Sequence, residues 1–228
     1  MKQFYETYNE FPKLSALLRE ISWTNNFTIL SRPKSLEEKK FYLRLTIQER
    51  YSYRELDRQI NSGIFERSML GNIKLSPVAK RIHPEITNSF KNNYIFEFLG
   101  LFEYHSENEL RKGLIAQMKN FILELGKNFI FMGGEYRVQV GNSDFYIDLL
   151  FYHRGLQCLI AFELKAEKFK PEHLGQLNFY LETLDRDVKK TNENSSIVIL
   201  LCKDKDNEVV EYALSRSLSL TMVSEYKM

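Results

Sequence analysis

The chain has 228 residues, 43% of them apolar and 27% charged, which excludes an intrinsically disordered protein and leaves room for one large domain or two small ones. Its two cysteines, Cys158 and Cys202, lie in apolar, strand-like runs, which excludes a disulfide framework and a thiolate zinc site. The net charge is only +2, the first residues lack a signal pattern and no apolar run could span a bilayer, so we expect a soluble cytoplasmic protein with no membrane partner.

Residues 1–85 are predicted to form a helical domain. Ser35 with Glu38, and then Ser52 with Glu55, have the spacing of capping boxes, and the helices that they start give a helix-turn-helix pattern over 36–67. The segment 1–85 contains 15 Lys and Arg against 10 Asp and Glu, so it carries +5 while the rest of the chain carries −3. A basic segment beside an acidic one suits the binding of a polyanion.

Four arginines of the helix-turn-helix segment are candidates for contacts with nucleic acid: Arg50, Arg54, Arg58 and Arg67. In the alternative, Arg54 and Arg58 form ion pairs with Glu55 and Asp57 on a solvent-exposed face of the second helix, or they form a surface for a partner protein. The sequence favours neither interpretation. Trp23 and Phe27, which precede this segment, are expected in the core.

Residues 71–93 are mixed and polar and predict a linker to a second domain over 94–228. The stretch ENELRKGLIAQMKNFILELG has apolar residues at helical spacing and predicts one long amphipathic helix that ends at Gly126. Period-two alternation then predicts three antiparallel strands, followed by a helix from about Pro171, an apolar strand over 196–202, a helix and a last strand. The predicted order is αβββαβαβ, a mixed α/β (α+β) fold.

The second and third strands, DFYIDLLFYHR and LQCLIAFELKA, are predicted to form a hairpin closed by a two-residue Arg-Gly loop. In that register Glu163 lies opposite Tyr146, and Asp148 is a diagonal neighbour of Glu163 at about 7–8 Å. Because side chains alternate along a strand, Asp148, Glu163 and Lys165 should share one face of the sheet.

Two carboxylates and an amine on one face suit metal-dependent hydrolysis of a phosphodiester. Asp148 and Glu163, with the backbone carbonyl of Leu164, would bind Mg²⁺ or Mn²⁺, and Lys165 would position the attacking water and offset charge on the phosphate. The alternative is a structural salt bridge, because both acids lie in apolar runs where an unpaired carboxylate is costly. A hairpin-registered Asp together with Glu-x-Lys is a rare combination, which favours the catalytic interpretation.

The helix after Pro171 carries Gln176 and Tyr180 four residues apart, on one face, from which both can reach the edge of the sheet. In the alternative, Tyr180 is a core residue and Gln176 is solvated.

Several segments of the sequence resemble a known protein family. The segment from about Ser106 to Tyr226, with FYIDLLFYHR, FELKAEKFKPEHLGQLNFYL, SIVILLCKDKDNEVVEYAL and VSEY, resembles the YhcG-type PD-(D/E)xK nuclease domain. Upstream, FYLRLTIQERYSYRELDRQINSGIFER and YIFEFLGL resemble the helical domain that precedes the nuclease in the same family. Members usually begin further upstream than this chain does, so we expect its N-terminal domain to be incomplete or to rely on another protomer.

The resemblance implies a restriction-endonuclease-like fold in which Asp148, Glu163 and Lys165 match the motif Asp…Glu-x-Lys. It also implies that Gln176 and Tyr180 match the Gln-x-x-x-Tyr element of RecB-like nucleases.

The first core helix of such nucleases often supplies a further acid. Glu109 is our choice, because it precedes the apolar stripe at the start of the helix, with Glu107 and Glu124 as alternatives. A favourable charge near a helix N-terminus explains Glu109 equally well.

The sequence therefore predicts a Mg²⁺- or Mn²⁺-dependent deoxyribonuclease of DNA repair, recombination or defence, with a homo-oligomer or protein partner formed through the N-terminal helices. One alternative is a nuclease-fold module that binds nucleic acid or protein without catalysis. Another is an RNase. The intact Asp, Glu and Lys favour an enzyme over a module.

Overall fold

The computed structural model describes residues 17–70, 73–82, 86–126 and 128–228, apart from the side chains at 67, 70, 87 and 88. The side chain of Arg67, one of the predicted nucleic-acid contacts, therefore lies outside the described part. The chain divides into two compact units, Met1–Leu70 and Gly71–Met228. None of the helices in the described ranges combines the length and the apolar character that crossing a membrane requires.

The first unit is helical. After a 3₁₀ turn at Leu18–Glu20, its described helices are α1 (Trp23–Ser31), α2 (Leu36–Glu49), α3 (Tyr53–Asn61) and α4 (Ile64–Leu70). Capping boxes are present at Ser35 with Glu38 and at Ser52 with Glu55, and they start α2 and α3. The helices enclose a small apolar core that includes Ile29, Tyr42, Leu43 and Leu56.

The expectation that Trp23 and Phe27 lie in this core is wrong. Their side chains are 57% and 60% exposed. Four residues apart, they share the outer face of α1, whereas Ile29 and Leu30 supply its buried face.

The second unit is built on one mixed sheet, to which the described residues contribute seven strands. In chain order these are β1 (Lys74–Leu75), β2 (Asn93–Ile95), β3 (Phe129–Val140), β4 (Ser143–His153), β5 (Cys158–Lys168), β6 (Ile197–Asp204) and β7 (Thr221–Lys227). Across the sheet the order is β1-β7-β6-β5-β4-β3, and β2 also pairs with β7. Strands β3, β4 and β5 are antiparallel, whereas β5, β6 and β7 are parallel.

The segment 71–93, which the sequence predicts as a linker between domains 1–85 and 94–228, contributes to this sheet. Strand β1 pairs with β7 in antiparallel fashion, and β2 pairs with the end of β7 in parallel. Two short helices, α5 (Pro77–Ile82) and α6 (Ile86–Ser89), lie between these strands. Strands of two and three residues are too short to show a period-two pattern, which is why the sequence gives no sign of them.

Helices cover both faces of the sheet. They are α7 (Glu107–Ala116), α8 (Met118–Leu125), α9 (His173–Thr183), which continues into a π-helical turn at Leu184–Val188, and α10 (Asn207–Leu214). Helices α7 and α8 bury apolar side chains on one face, and α9 and α10 bury theirs on the other. The mixed α/β fold in αβββαβαβ order is confirmed. The single long helix predicted at its start is wrong, because Gln117 leaves helical geometry (φ −105°, ψ 31°) and divides it into α7 and α8.

The hairpin of β4 and β5 has a longer loop than predicted. His153 pairs with Cys158, which leaves residues 154–157 in the loop instead of two. His153 Nδ1 accepts a hydrogen bond from the Leu156 N–H at 3.0 Å, and Gln157 takes a left-handed φ of +51°, so the longer turn is closed locally.

This loop changes the register on which the site was predicted. The pairing of Glu163 with Tyr146 is wrong by two residues, and continuing the observed ladder places Glu163 opposite Asp148. Because side chains alternate with a period of two, a shift of two residues leaves each of them on the predicted face.

Candidate active site

Asp148 and Glu163 lie where β4 and β5 separate. The backbone pairing of the two strands ends one residue before them, and the Leu164 N–H donates instead to Asp148 Oδ2 at 2.9 Å. On β5, Lys165 Nζ donates to Glu163 Oε1 at 3.0 Å. The structure thus brings together the three residues that the sequence singled out.

Burial controls the charge of this cluster. The Glu163 side chain is only 4% exposed, and its pKa is raised to about 7. Burial is the largest cause of this rise, the Asp148 carboxylate adds to it, and Lys165 opposes it. Burial also lowers the pKa of Lys165, but the carboxylates of Glu163 and Glu107 more than offset this, and the net pKa lies above its ordinary value. Lys165 is therefore a charged ammonium at neutral pH.

The first turns of α7 add two charged side chains. Glu107 Oε2 lies 3.5 Å from Lys165 Nζ, and one helical turn later Arg111 Nη1 donates to Asp148 Oδ1 at 2.7 Å. Arg111 Nη2 also donates to Glu135 Oε1 at 2.8 Å. Arg111 was not predicted as a site residue, although its spacing of four residues from Glu107 places the two on one face of a helix.

The structure does not bring Glu109 to this cluster. Its carboxylate accepts hydrogen bonds from the N–H and the hydroxyl of Ser106, both at 2.8 Å, and these bonds lower its pKa. Residues two apart on a helix point about 200° apart, so Glu109 faces away when Glu107 faces Lys165. Glu124, the other alternative, is buried elsewhere and accepts from the Ile95 N–H at 3.2 Å. Glu107 is thus the one of the three candidate acids that contacts Lys165.

Gln176 and Tyr180 join α9 to the strand that carries Asp148. The Tyr180 hydroxyl donates to the Tyr146 carbonyl at 2.8 Å and accepts from Gln176 Nε2 at 2.8 Å. Burial is the main cause of the raised pKa of Tyr180, and the charges of Glu163 and Asp148 raise it further. Tyr180 therefore lies within electrostatic reach of both acids.

The donor atoms around Glu163 fit a hard divalent cation. Glu163 Oε2 is buried and has no hydrogen-bond partner among the described residues. The N–H and C=O of a strand residue point to the same side, so the Leu164 carbonyl faces the gap that its N–H spans to Asp148. Within the described ranges, no group of three or more His, Cys, Asp and Glu side chains is arranged to hold a metal. Two carboxylates and a carbonyl suit Mg²⁺, which keeps several of its waters.

The arginines predicted to contact phosphate belong to the first unit. Arg50 ends α2 in a left-handed conformation with φ +49° and is exposed. On α3, Arg54 is exposed and Arg58 is partly buried. Asp57, which the alternative interpretation pairs with these arginines, forms an ion pair with Arg32. Contacts of Arg50, Arg54 and Arg58 with nucleic acid stay a prediction.

A mixed sheet in αβββαβαβ order, with Asp148 on its second core strand and Glu-x-Lys on its third, is the architecture of a PD-(D/E)xK nuclease. Residues 87–228 match the family described as "YhcG PDDEXK nuclease domain", and residues 1–67 match the "DUF1016 N-terminal domain". The chain belongs to the YhcG family of PD-(D/E)xK nucleases.

This chain is similar to parts of individual proteins. The "Putative nuclease YhcG" of Escherichia coli (strain K12) is 33% identical over 201 residues, which are 86% of this chain and 53% of that protein. The chain thus spans about half the length of this curated relative. Among solved structures, a repair endonuclease from Pyrococcus abyssi gives a TM-score of 0.35 at 17% identity, over 50% of this chain and 45% of that one. A complex titled "Structure of EndoMS-dsDNA2 complex" gives a TM-score of 0.31 at 17% identity, over 49% of this chain and 42% of that one.

Proposed function

We propose that this chain hydrolyses phosphodiester bonds in DNA with Mg²⁺ or Mn²⁺ held by Asp148 and Glu163. The observation that carries the proposal is the convergence of two largely buried carboxylates and an ammonium where β4 and β5 separate. A structural ion pair would explain Lys165 and one oxygen of Glu163. It leaves the other oxygen buried without a partner, which is costly unless a ligand uses it.

Asp148, Glu163 and the Leu164 carbonyl would hold the cation, which activates a water for attack and offsets negative charge on the phosphate. Lys165, charged at neutral pH and held between Glu163 and Glu107, donates to the attacking water or to a phosphate oxygen. Tyr180 holds α9 against β4 and keeps the wall of the site in place.

The test is cleavage of labelled DNA by the full chain with Mg²⁺, with Mn²⁺ and with EDTA. Lys165→Ala should reduce cleavage by about 100-fold or more, the usual effect of removing a group that stabilises charge in the transition state. Lys168→Ala is the matched control, because Lys168 lies on the same strand but is 56% exposed and faces Asp204. It should cleave as the unmodified chain does.

Lys165→Ala that cleaves at the unmodified rate would contradict the proposed role of Lys165. The same assay with single- and double-stranded DNA and RNA separates the alternatives. Cleavage of RNA alone would assign an RNase, and binding without cleavage of either nucleic acid would assign a binding module.

We also propose that the N-terminal helical unit contacts the DNA backbone. Arg50 follows α2 directly, and Arg54 and Arg58 lie about one helical turn apart on α3. Arg50 and Arg54 are exposed, and residues 1–70 carry a net charge of +3. Phosphate contacts of this kind position a nuclease without reading sequence.

A further inference from the structure

The loop that leads into α7 presents two aromatic rings to solvent. Phe102 is 87% exposed and Tyr104 is 89% exposed. Large aromatic side chains usually bury most of their surface, so two of them standing exposed on one short loop point to a binding role.

The loop is held in place although its rings are exposed. Lys203 Nζ donates to the Glu103 carbonyl at 2.6 Å and lies 4.9 Å from the centre of the Tyr104 ring. The two ring nitrogens of His105 lie 2.9 Å from the Phe102 carbonyl and 2.9 Å from the Tyr226 hydroxyl. A lysine against one face of Tyr104 leaves the opposite face for a ligand.

The loop lies beside the candidate active site. Tyr104 precedes Glu107 by three residues, which span at most about 11 Å, and Glu107 lies 3.5 Å from Lys165. On the sheet, Lys203 follows Cys202, and Cys202 pairs with Lys165 on the neighbouring strand. A polynucleotide bound with its phosphate at Lys165 would therefore bring its adjacent bases to the two rings.

We infer that Phe102 and Tyr104 form a stacking platform for unpaired bases next to the bond that is cleaved, an inference that rests on the proposed nuclease function. Exposed aromatic rings near a basic side chain are typical of proteins that bind single strands, because every base offers a face for stacking. In the sequence, Glu103 lies between Phe102 and Tyr104, and Asp204 follows Lys203, so the loop suits the uncharged base faces better than the phosphates. The chain therefore prefers substrates with a single-stranded segment to an uninterrupted duplex.

The test measures binding in EDTA, where cleavage does not interfere. A labelled single-stranded oligodeoxynucleotide is compared with a duplex whose ends are closed by hairpins. The double variant Phe102→Leu/Tyr104→Leu keeps apolar side chains but removes the ring faces, and it should bind the single strand about tenfold or more weakly while binding the closed duplex as before. Tyr104→Phe retains the ring and should bind like the unmodified chain. Tyr212→Leu, at a ring that is 83% exposed on α10, is the matched control and should change neither affinity.

Unchanged affinity of the double leucine variant for the single strand overturns the inference, and so does an equal loss on both substrates. A third outcome is that the unmodified chain self-associates, that the double variant is monomeric, and that both bind the single strand equally well. The rings would then form an interface between copies of the chain, and the inference would fail. Cleavage is assayed separately with Mg²⁺. If the unmodified chain cleaves DNA but the double leucine variant still binds single strands as tightly, only the stacking platform is contradicted. If the unmodified chain cleaves no nucleic acid, the proposed function is contradicted.

Discussion

Asp148 already has a cationic partner. Arg111 Nη1 donates to its Oδ1 and the Leu164 N–H to its Oδ2, and the Asp148 side chain is only 12% exposed. A metal ion that binds Asp148 must therefore share the carboxylate with Arg111 or displace it. A displaced guanidinium beside the site is well suited to donate to a phosphate oxygen, because its planar fork matches phosphate geometry.

Arg111→Ala should lower the free energy of unfolding in EDTA by roughly 1–3 kcal/mol, because it leaves a largely buried carboxylate without its partner. Mn²⁺ should recover most of that loss, since the metal replaces the missing charge. Urea denaturation with EDTA and with Mn²⁺ measures both effects. Arg137→Ala is the control, because its ion pair with Asp144 is exposed and should matter little. If both variants responded equally to Mn²⁺, Arg111 and the metal would not share Asp148.

His153 gives the fold a dependence on pH away from the site. It is buried against Phe90 and Phe129, and burial lowers its pKa to about 4. The ordinary value is about 6.5, so the unfolded chain takes up the proton at higher pH than the folded chain. Stability from the neutral imidazole is present above pH 6.5 and is lost as the pH falls towards 4.

We expect His153 to contribute a loss on the order of 2 kcal/mol between pH 7 and pH 4. His153→Asn retains an acceptor near the Leu156 N–H but does not titrate, so its unfolding free energy should fall less over this range. Urea denaturation at a series of pH values measures the two slopes. Identical slopes would mean that other groups set the acid sensitivity.

At the scale of elements, α7 gives two neighbouring acids different tasks. Glu107 faces Lys165, whereas Glu109 closes the capping box with Ser106 at the start of the helix. The distinction follows from helical geometry, because a step of two residues reverses the direction of the side chain.

Glu107→Gln and Glu109→Gln form a matched pair. Glu107→Gln should reduce cleavage about tenfold or more, because it removes a charge that holds the Lys165 ammonium in place, with little change in stability. Glu109→Gln should leave cleavage unchanged and lower the unfolding temperature only slightly, because a neutral amide still caps but loses the favourable charge at the helix N-terminus. Cleavage rates and thermal unfolding of both variants test this. A larger loss of cleavage in Glu109→Gln would reverse the assignment.

The elements differ in how far their sequence specifies them. The order of helices and long strands follows from the period of the hydrophobic residues. The sequence also places Asp148, Glu163 and Lys165 on one face of the sheet, because an error of two residues in the register leaves each side chain on the same face. The register itself depends on the loop, where a left-handed Gln157 carries no sequence signal. Sequence alone does not separate Glu109 from Glu107, because helix capping and catalysis both favour an acid in the first turn, and only the structure shows that Glu107 contacts Lys165. Arg111 was missed because its partner Asp148 is 37 residues away along the chain.

At the scale of the whole molecule, two compact units carry opposite charge. Met1–Leu70 contains 12 Lys and Arg against 9 Asp and Glu, a net charge of +3, and Gly71–Met228 carries a net charge of −1. Each unit encloses its own apolar core. Because acids hold the metal and basic residues hold the phosphates, the proposed function assigns affinity chiefly to the first unit and chemistry to the second.

Arg54→Ala/Arg58→Ala should therefore weaken DNA binding at low salt and reduce the slope of log affinity against log salt by about 1 for each phosphate contact that is lost. The rate of cleavage at saturating DNA should stay the same, because the acids and Lys165 are unchanged. Arg216→Ala, an exposed arginine of the second unit, is the control and should leave the slope unaltered. Titration of labelled duplex DNA over a range of NaCl concentrations gives the slopes. If the double variant kept both the affinity and the salt dependence of the unmodified chain, Arg54 and Arg58 would not contact DNA. That result would favour a protein partner for this surface of α3.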